Sequence, residues 1–191
     1  MSRRRRMSWL ALTRHPGSSC TAVRSIHASA SCASPDAITF AYRVEAELAR
    51  LVLPVTTGPR RVDGLWRHTC LEAFVKADGE GYCELNFSAS GQWAAYSFVR
   101  YRESMTALSG LPEPRITVRR DAEVFELVAQ VARSGLAGCT AADRVKIALS
   151  AVVEDIDGGL SYWALAHPAG GPDFHHPEAF RLEVSVGRGE R

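Results

Sequence analysis

The feature that most constrains this chain is a two-residue hydrophobic period. In residues 38–46 (ITFAYRVEA), Ile38, Phe40, Tyr42 and Val44 fall on one side, and Thr39, Arg43 and Glu45 on the other. Residues 123–131 group Phe125, Leu127, Ala129 and Val131. Residues 145–153 group Val145, Ile147, Leu149, Ala151 and Val153 against Lys146 and Ser150, and 179–186 alternate in the same way. A strand turns successive side chains to opposite faces, so this is the pattern of a half-buried strand. Further strand candidates are 9–14, 22–28, 70–76, 82–88, 92–101, 115–120 and 160–167. Asp78–Gly81, Ser88–Gly91 and Asp157–Gly159 separate several of them with hairpin chemistry, glycine supplying positive φ. Only 45–52 and 102–109 suggest a helical turn. The expectation is an all-β fold: a two-sheet antiparallel β-sandwich, jelly-roll-like, of about ten strands. Residues 9–187 form one domain on this reading, with a basic disordered tail at 1–8 and a short tail at 188–191.

Composition excludes several functions. Hydrophobic residues make up 46% and charged residues 23%, ordinary for a globular protein. The net charge of +2 depends on Arg3–Arg6; without these four of the 23 basic residues, 19 stand against 21 acidic ones. A mildly acidic body gives nucleic acid no footprint. The short apolar stretch Trp9–Leu12 falls below signal-peptide length, and no run approaches a membrane span. Five cysteines without a CxxC pair favour a reducing, cytoplasmic setting over a disulfide framework. The spacing leaves the oligomeric state open.

The informative block is 60–102, RRVDGLWRHTCLEAFVKADGEGYCELNFSASGQWAAYSFVRYR. On 82–88, Tyr82, Glu84, Asn86 and Ser88 share a face opposite Cys83, Leu85 and Phe87. On 70–76, Cys70, Glu72 and Phe74 oppose Leu71, Ala73 and Val75. Glu72, Glu84 and Asn86 therefore stand inside strands, where their types are disfavoured. Such groups must be answered by a cation, an arginine or a ligand's hydroxyls. Arg60, Arg61, Arg67, Arg100 and Lys146 are available neighbours.

The phrases LWRHTCLEAFV, YCELNFSASGQWAAYSFVRYR, DGGLSYWALAHP and PDFHHPEAF resemble the bacterial DOMON-like proteins. Those are similar in turn to the DOMON and carbohydrate-binding module family 9 β-sandwiches. The resemblance spans about residues 9–184 and implies a ligand-binding sandwich, in a superfamily with sugar-binding and haem-binding members and no established activity in this branch. The chain departs from the pattern at Ala89, where proline is expected, and at Ser104, where glycine is expected.

Aromatic rings match the apolar face of a pyranose. Of Trp9, Trp66, Trp93 and Trp163, Trp66 follows Asp63-Gly64 in a loop and is the best stacking candidate, whereas Trp93 and Trp163 lie in alternating strands that favour core positions. The expected function is non-catalytic binding of a small ligand, with saccharide as the leading class, through Arg60, Trp66, His68, Glu72, Glu84, Asn86, Trp93 and Lys146. Two alternatives stand beside it. One is a structural or protein-interaction module in which the polar groups form an internal network. The other is a haem or metal domain, with Met105 and His68 as the only haem pair to nominate, and with Asp173, His175 and His176 as weak ligands for a divalent metal. No cofactor is otherwise expected. Cys70 beside His68 and the pair Glu72/Glu84 are the nearest approach to catalytic groups, and neither makes a convincing centre.

Overall fold

The computed structural model describes residues 8–136 and 138–187. Most of the expected basic tail and all of residues 188–191 lie outside the described residues. Among the described residues there are thirteen strands: β1 (Leu10–Ala11), β2 (Thr13–Arg14), β3 (Val23–Ser34), β4 (Ala37–Ala46), β5 (Cys70–Lys76), β6 (Tyr82–Ser88), β7 (Trp93–Phe98), β8 (Thr106–Ala107), β9 (Arg115–Arg120), β10 (Val124–Ala132), β11 (Arg144–Glu154), β12 (Leu160–Ala164) and β13 (Leu182–Ser185). They form two antiparallel sheets, as the alternation predicts. One runs β1-β3-β4-β10-β9 and the other β2-β12-β11-β5-β6-β7-β8, with β13 beside β11.

The expected count of about ten is exceeded because short edge strands are invisible to periodicity. The candidate 9–14 divides into β1 and β2, one for each sheet, and β8 is a two-residue strand in the segment read as a possible helical turn. The other such segment holds a single 3-10 turn, Leu48–Arg50. β3 runs on to Ser34, through alanines and serines with little strand preference, because its ladder with β4 continues across two register shifts. At 179–186 the strand begins only at Leu182, after a 3-10 turn at Pro177–Ala179.

The two sheets bury different numbers of faces. β4 alternates between core and surface: Ile38, Phe40, Tyr42 and Val44 enter the core, and Arg43 and Glu45 pair outside with Glu126 and Ser25. β5 and β6, central in the larger sheet, are buried on both faces almost throughout. Their inner residues Leu71, Ala73, Val75, Cys83, Leu85 and Phe87 complete the inter-sheet core. Their outer residues belong to a second cluster, where Phe74 and Tyr82 pack with Tyr96, Phe98, Val152 and Phe174. The segment carrying Phe174 and His175 thus covers the outer face of the larger sheet. The two layers are also joined across the core by the Tyr42 hydroxyl, which donates at 2.6 Å to the Glu72 carbonyl. Among the described residues no helix is long and apolar enough to cross a membrane.

Candidate functional site

Register decides what the polar strand residues do. β5 pairs with β6 so that Glu72 lies opposite Asn86 and Phe74 opposite Glu84. On the other side β11 brings Ser150 opposite Glu72. A polar row, Ser150–Glu72–Asn86, therefore crosses the outer face of the larger sheet. Glu84 is the diagonal neighbour of Glu72, about 7–8 Å away between α-carbons. The hairpins that set this register are short, and at the β6–β7 turn Gly91 adopts φ 89, a conformation open to glycine at little cost.

Over this face stands a cavity of about 410 Å3, lined by Trp66, Glu72, Glu84, Phe98, Arg102, Met105, Val152, Tyr162, Pro172, Phe174 and His175. Its volume lies within the range of small-molecule sites. Glu72 and Glu84 form part of its lining although they are only 3% and 5% exposed. Burial pushes both carboxyls above their ordinary values. Glu84 adds to the rise at Glu72, Arg102 opposes it at both, and the Asn86 amide opposes it at Glu84. Asn86 Nδ2 donates to Glu84 Oε1 at 2.8 Å. The Glu72 side chain has no hydrogen bond or ion pair among the described residues, and neither do its flanking atoms Asn86 Oδ1 and Ser150 Oγ.

Trp66 owes its place to local geometry. Gly64, at φ 79, starts a 3-10 turn over Leu65–Arg67. The half-buried indole then meets the Tyr96 ring edge to face at 5.5 Å, while the Tyr96 hydroxyl donates to Asp63 Oδ1 at 2.9 Å. Across the cavity two loops clasp one another. Asp173 accepts from the Tyr101 hydroxyl at 2.6 Å and from Arg102 at 2.7 Å. Burial favours the protonated form of Asp173, but these two bonds outweigh it and hold the carboxyl below its usual value. His175 Nδ1 is 2.8 Å from the Tyr82 hydroxyl, and its Nε2 is 3.7 Å from Glu84 Oε2. Burial, reinforced by Arg102 and opposed by Asp173, pushes the His175 imidazole down to about 4.

Of the residues expected to bind, Trp66, Glu72 and Glu84 meet at this cavity, and Asn86 supports Glu84 from behind. The other four lie elsewhere. Trp93 points the opposite way, into the inter-sheet core, because it pairs across from inward-facing Phe87; Arg61 covers its ring at 5.2 Å. His68 is exposed, with Nδ1 2.7 Å from Glu154. Arg60 is exposed beyond the strand ends, contributing its carbonyl to the Trp93 amide. Lys146 sits near the start of β11, exposed and opposite Lys76 and Glu183.

The weak metal ligands also diverge. Asp173 is taken by Tyr101 and Arg102, His175 turns to the cavity, and His176 accepts from the Glu178 amide. No group of three metal-capable side chains converges among the described residues. The nominated haem pair is split, Met105 lining the cavity and His68 standing outside it. Burial pushes the Cys70 thiol well up, with Glu72 and Glu84 adding to the rise, and His68 is occupied by Glu154.

Sequence reasoning missed Arg102, Phe174 and the cavity role of His175. The only signals were the RYR ending of the informative block and a histidine flanked by aromatic residues in PDFHHP. Neither says where its loop docks.

No model of a known protein family matches the sequence, and no curated protein matches it. Several solved structures share the fold. A Bacteroides uniformis protein provisionally described as carbohydrate-binding aligns over 94% of this chain and 86% of its own, at 15% identity with a TM-score of 0.65. A carbohydrate-binding module of family 9 from Caldicellulosiruptor kristjanssonii in complex with cellotriose aligns over 97% and 84%, at 8% identity and 0.55. The same organism's family 9 module in complex with glucose aligns over 97% and 85%, at 10% identity and 0.53. At these identities the likeness establishes the architecture: this chain has the β-sandwich fold seen in carbohydrate-binding proteins.

Proposed function

We propose that residues 9–187 act as one non-catalytic binding unit whose cavity takes a small polyhydroxylated ligand of the saccharide class. The observation that carries this reading is Glu72: a carboxyl 3% exposed, lining a cavity of about 410 Å3, with no hydrogen bond or ion pair of its side chain among the described residues. A buried polar group left unanswered costs about 1–3 kcal/mol, which a ligand hydroxyl offsets. Trp66, Phe98, Tyr162 and Phe174 contribute aromatic rings to the same lining, and aromatic side chains are the usual apolar complement to a sugar. The family 9 modules of the same fold were solved with cellotriose and with glucose, which makes these two the first probes.

The non-catalytic part of the reading rests on charge. A glycosidase needs one carboxylate ionised as nucleophile or base. Burial favours the protonated form of both Glu72 and Glu84.

Calorimetric titration of the full chain with a panel of mono- and oligosaccharides, glucose and cellotriose included, tests the proposal. Trp66→Ala should weaken the sugar that binds by about 1–2 kcal/mol, roughly five- to thirtyfold, through lost stacking. A flat panel for the folded wild-type protein, or Trp66→Ala binding like wild type, counts against the site.

A second reading, an internal network that fixes the sheet, is favoured by the Asn86–Glu84 and Tyr82–His175 hydrogen bonds. It predicts a flat panel together with a loss of thermal stability in Glu84→Gln.

A further inference from the structure

The charges around the cavity do not balance. Its lining contains one guanidinium, Arg102, already bonded to Asp173 at 2.7 Å and lying 5.9 Å from the Tyr101 ring. His175 offers Nδ1 to Tyr82 and keeps Nε2 3.7 Å from Glu84, so it is no committed cation for Glu72. The Asn86 amide answers Glu84 Oε1 at 2.8 Å. That leaves Glu72, on the central strand β5 and only 3% exposed, lining the cavity with no hydrogen bond or ion pair of its side chain among the described residues, Arg102 acting on it only at a distance. A carboxyl in such a place must keep its proton or meet a cation. Aromatic rings, those of Trp66, Tyr162, Phe98 and Phe174, share the lining, and the face of such a ring attracts cations as well as sugar C–H groups.

From this arrangement we propose that the ligand carries a protonated amine beside its hydroxyls, and that it is a hexosamine with a free amino group whose ammonium seats against Glu72. The inference rests on the saccharide reading of the same cavity and narrows it. It excludes neutral sugars as the preferred ligand, and uronic acids as well, since a uronate brings no cation to Glu72 and adds a further carboxylate to a buried carboxyl pair. Binding carries a proton balance. In the free protein burial, with Glu84 adding to it and Arg102 opposing it, favours the protonated form of Glu72. When the ammonium docks, the Glu72 carboxyl releases its proton to solvent, the ammonium keeps its own three, and a charge-assisted hydrogen bond forms.

The test is calorimetric titration of the full chain with glucosamine, glucose, N-acetylglucosamine and glucuronate, each in two buffers of different ionisation enthalpy. Glucosamine should bind about tenfold or more tightly than glucose, the margin between a charge-assisted and a neutral hydrogen bond. N-acetylation, which removes the charge, should abolish the margin. Up to about one proton should leave the protein for each glucosamine bound, and none for glucose. Glu72→Gln should bring glucosamine and glucose to within about twofold of each other; should that variant not fold, the proton count on the wild type decides. Glucose, N-acetylglucosamine or glucuronate binding as tightly as glucosamine overturns the inference and leaves the saccharide reading standing. So does glucosamine binding with no proton released. Failure of all the sugars, here and in the wider panel, overturns both.

Discussion

Glu72 and His175 line one cavity and respond to folding in opposite senses. For Glu72, burial and then Glu84 raise the carboxyl above 4.5, against Arg102, so the folded protein holds a proton that the unfolded chain gives up. Its contribution to stability is complete below about pH 4.5 and drains away as pH rises toward the folded value. For His175, burial and then Arg102 lower the imidazole from 6.5 to about 4, against Asp173, so the folded protein sheds a proton that the unfolded chain binds. That contribution is complete above about pH 6.5 and is lost as pH falls toward 4. Urea denaturation measured between about pH 4 and pH 8 separates the two. Glu72→Gln should flatten the decline on the alkaline side, and His175→Asn the decline on the acid side. Unchanged slopes in both variants would contradict the burial that the structure assigns them. The sequence shows that Glu72 stands inside a strand, but its exposure and its distance from any cation depend on what lies above it.

At the scale of elements, the loop over 100–105 carries backbone strain at two residues. Arg102 and Ser104 adopt φ 53 and φ 55, left-handed conformations that cost a non-glycine residue roughly 1 kcal/mol each. Ser104→Gly should therefore stabilise the fold by about 0.5–1 kcal/mol in thermal or urea unfolding, whereas Ser104→Ala should not. The strained Arg102 amide donates to the Tyr82 hydroxyl at 3.1 Å, and its guanidinium joins the clasp on Asp173. Asp173→Asn should weaken the clasp and speed amide hydrogen exchange in both loops, 100–105 and 170–176, leaving β5 and β6 protected. Tyr42, the tie from the opposite sheet to the Glu72 carbonyl, is fully buried. Tyr42→Phe should cost about 1–2 kcal/mol, the loss of one buried hydrogen bond and its partner's satisfaction.

On the scale of the whole molecule, the larger sheet buries an inner face against its partner sheet and an outer face beneath the 172–181 segment. The two clusters differ in consequence. Phe87, fully buried between the sheets, should cost about 3–5 kcal/mol when truncated to alanine. Phe174, 8% exposed at the cavity wall, should cost less in unfolding experiments yet reduce sugar affinity more than Phe87→Ala does. The reverse ranking would place the ligand elsewhere. What the amino-acid sequence determined by itself is parity. Side chains two apart on a strand share a face through backbone geometry alone, so the strands, the two-sheet architecture and the common face of Glu84 and Asn86 could all be read from spacing. Parity also separates Trp93, in step with inward-facing Phe87 once the hairpin is closed, from the polar face. The tertiary structure decided everything that depends on distant chain segments meeting. Tyr82 and His175 are 93 residues apart and 2.8 Å from one another. No local pattern records that approach, because a loop's docking site is fixed by the surface it covers, and here that covering turns a polar sheet face into a cavity.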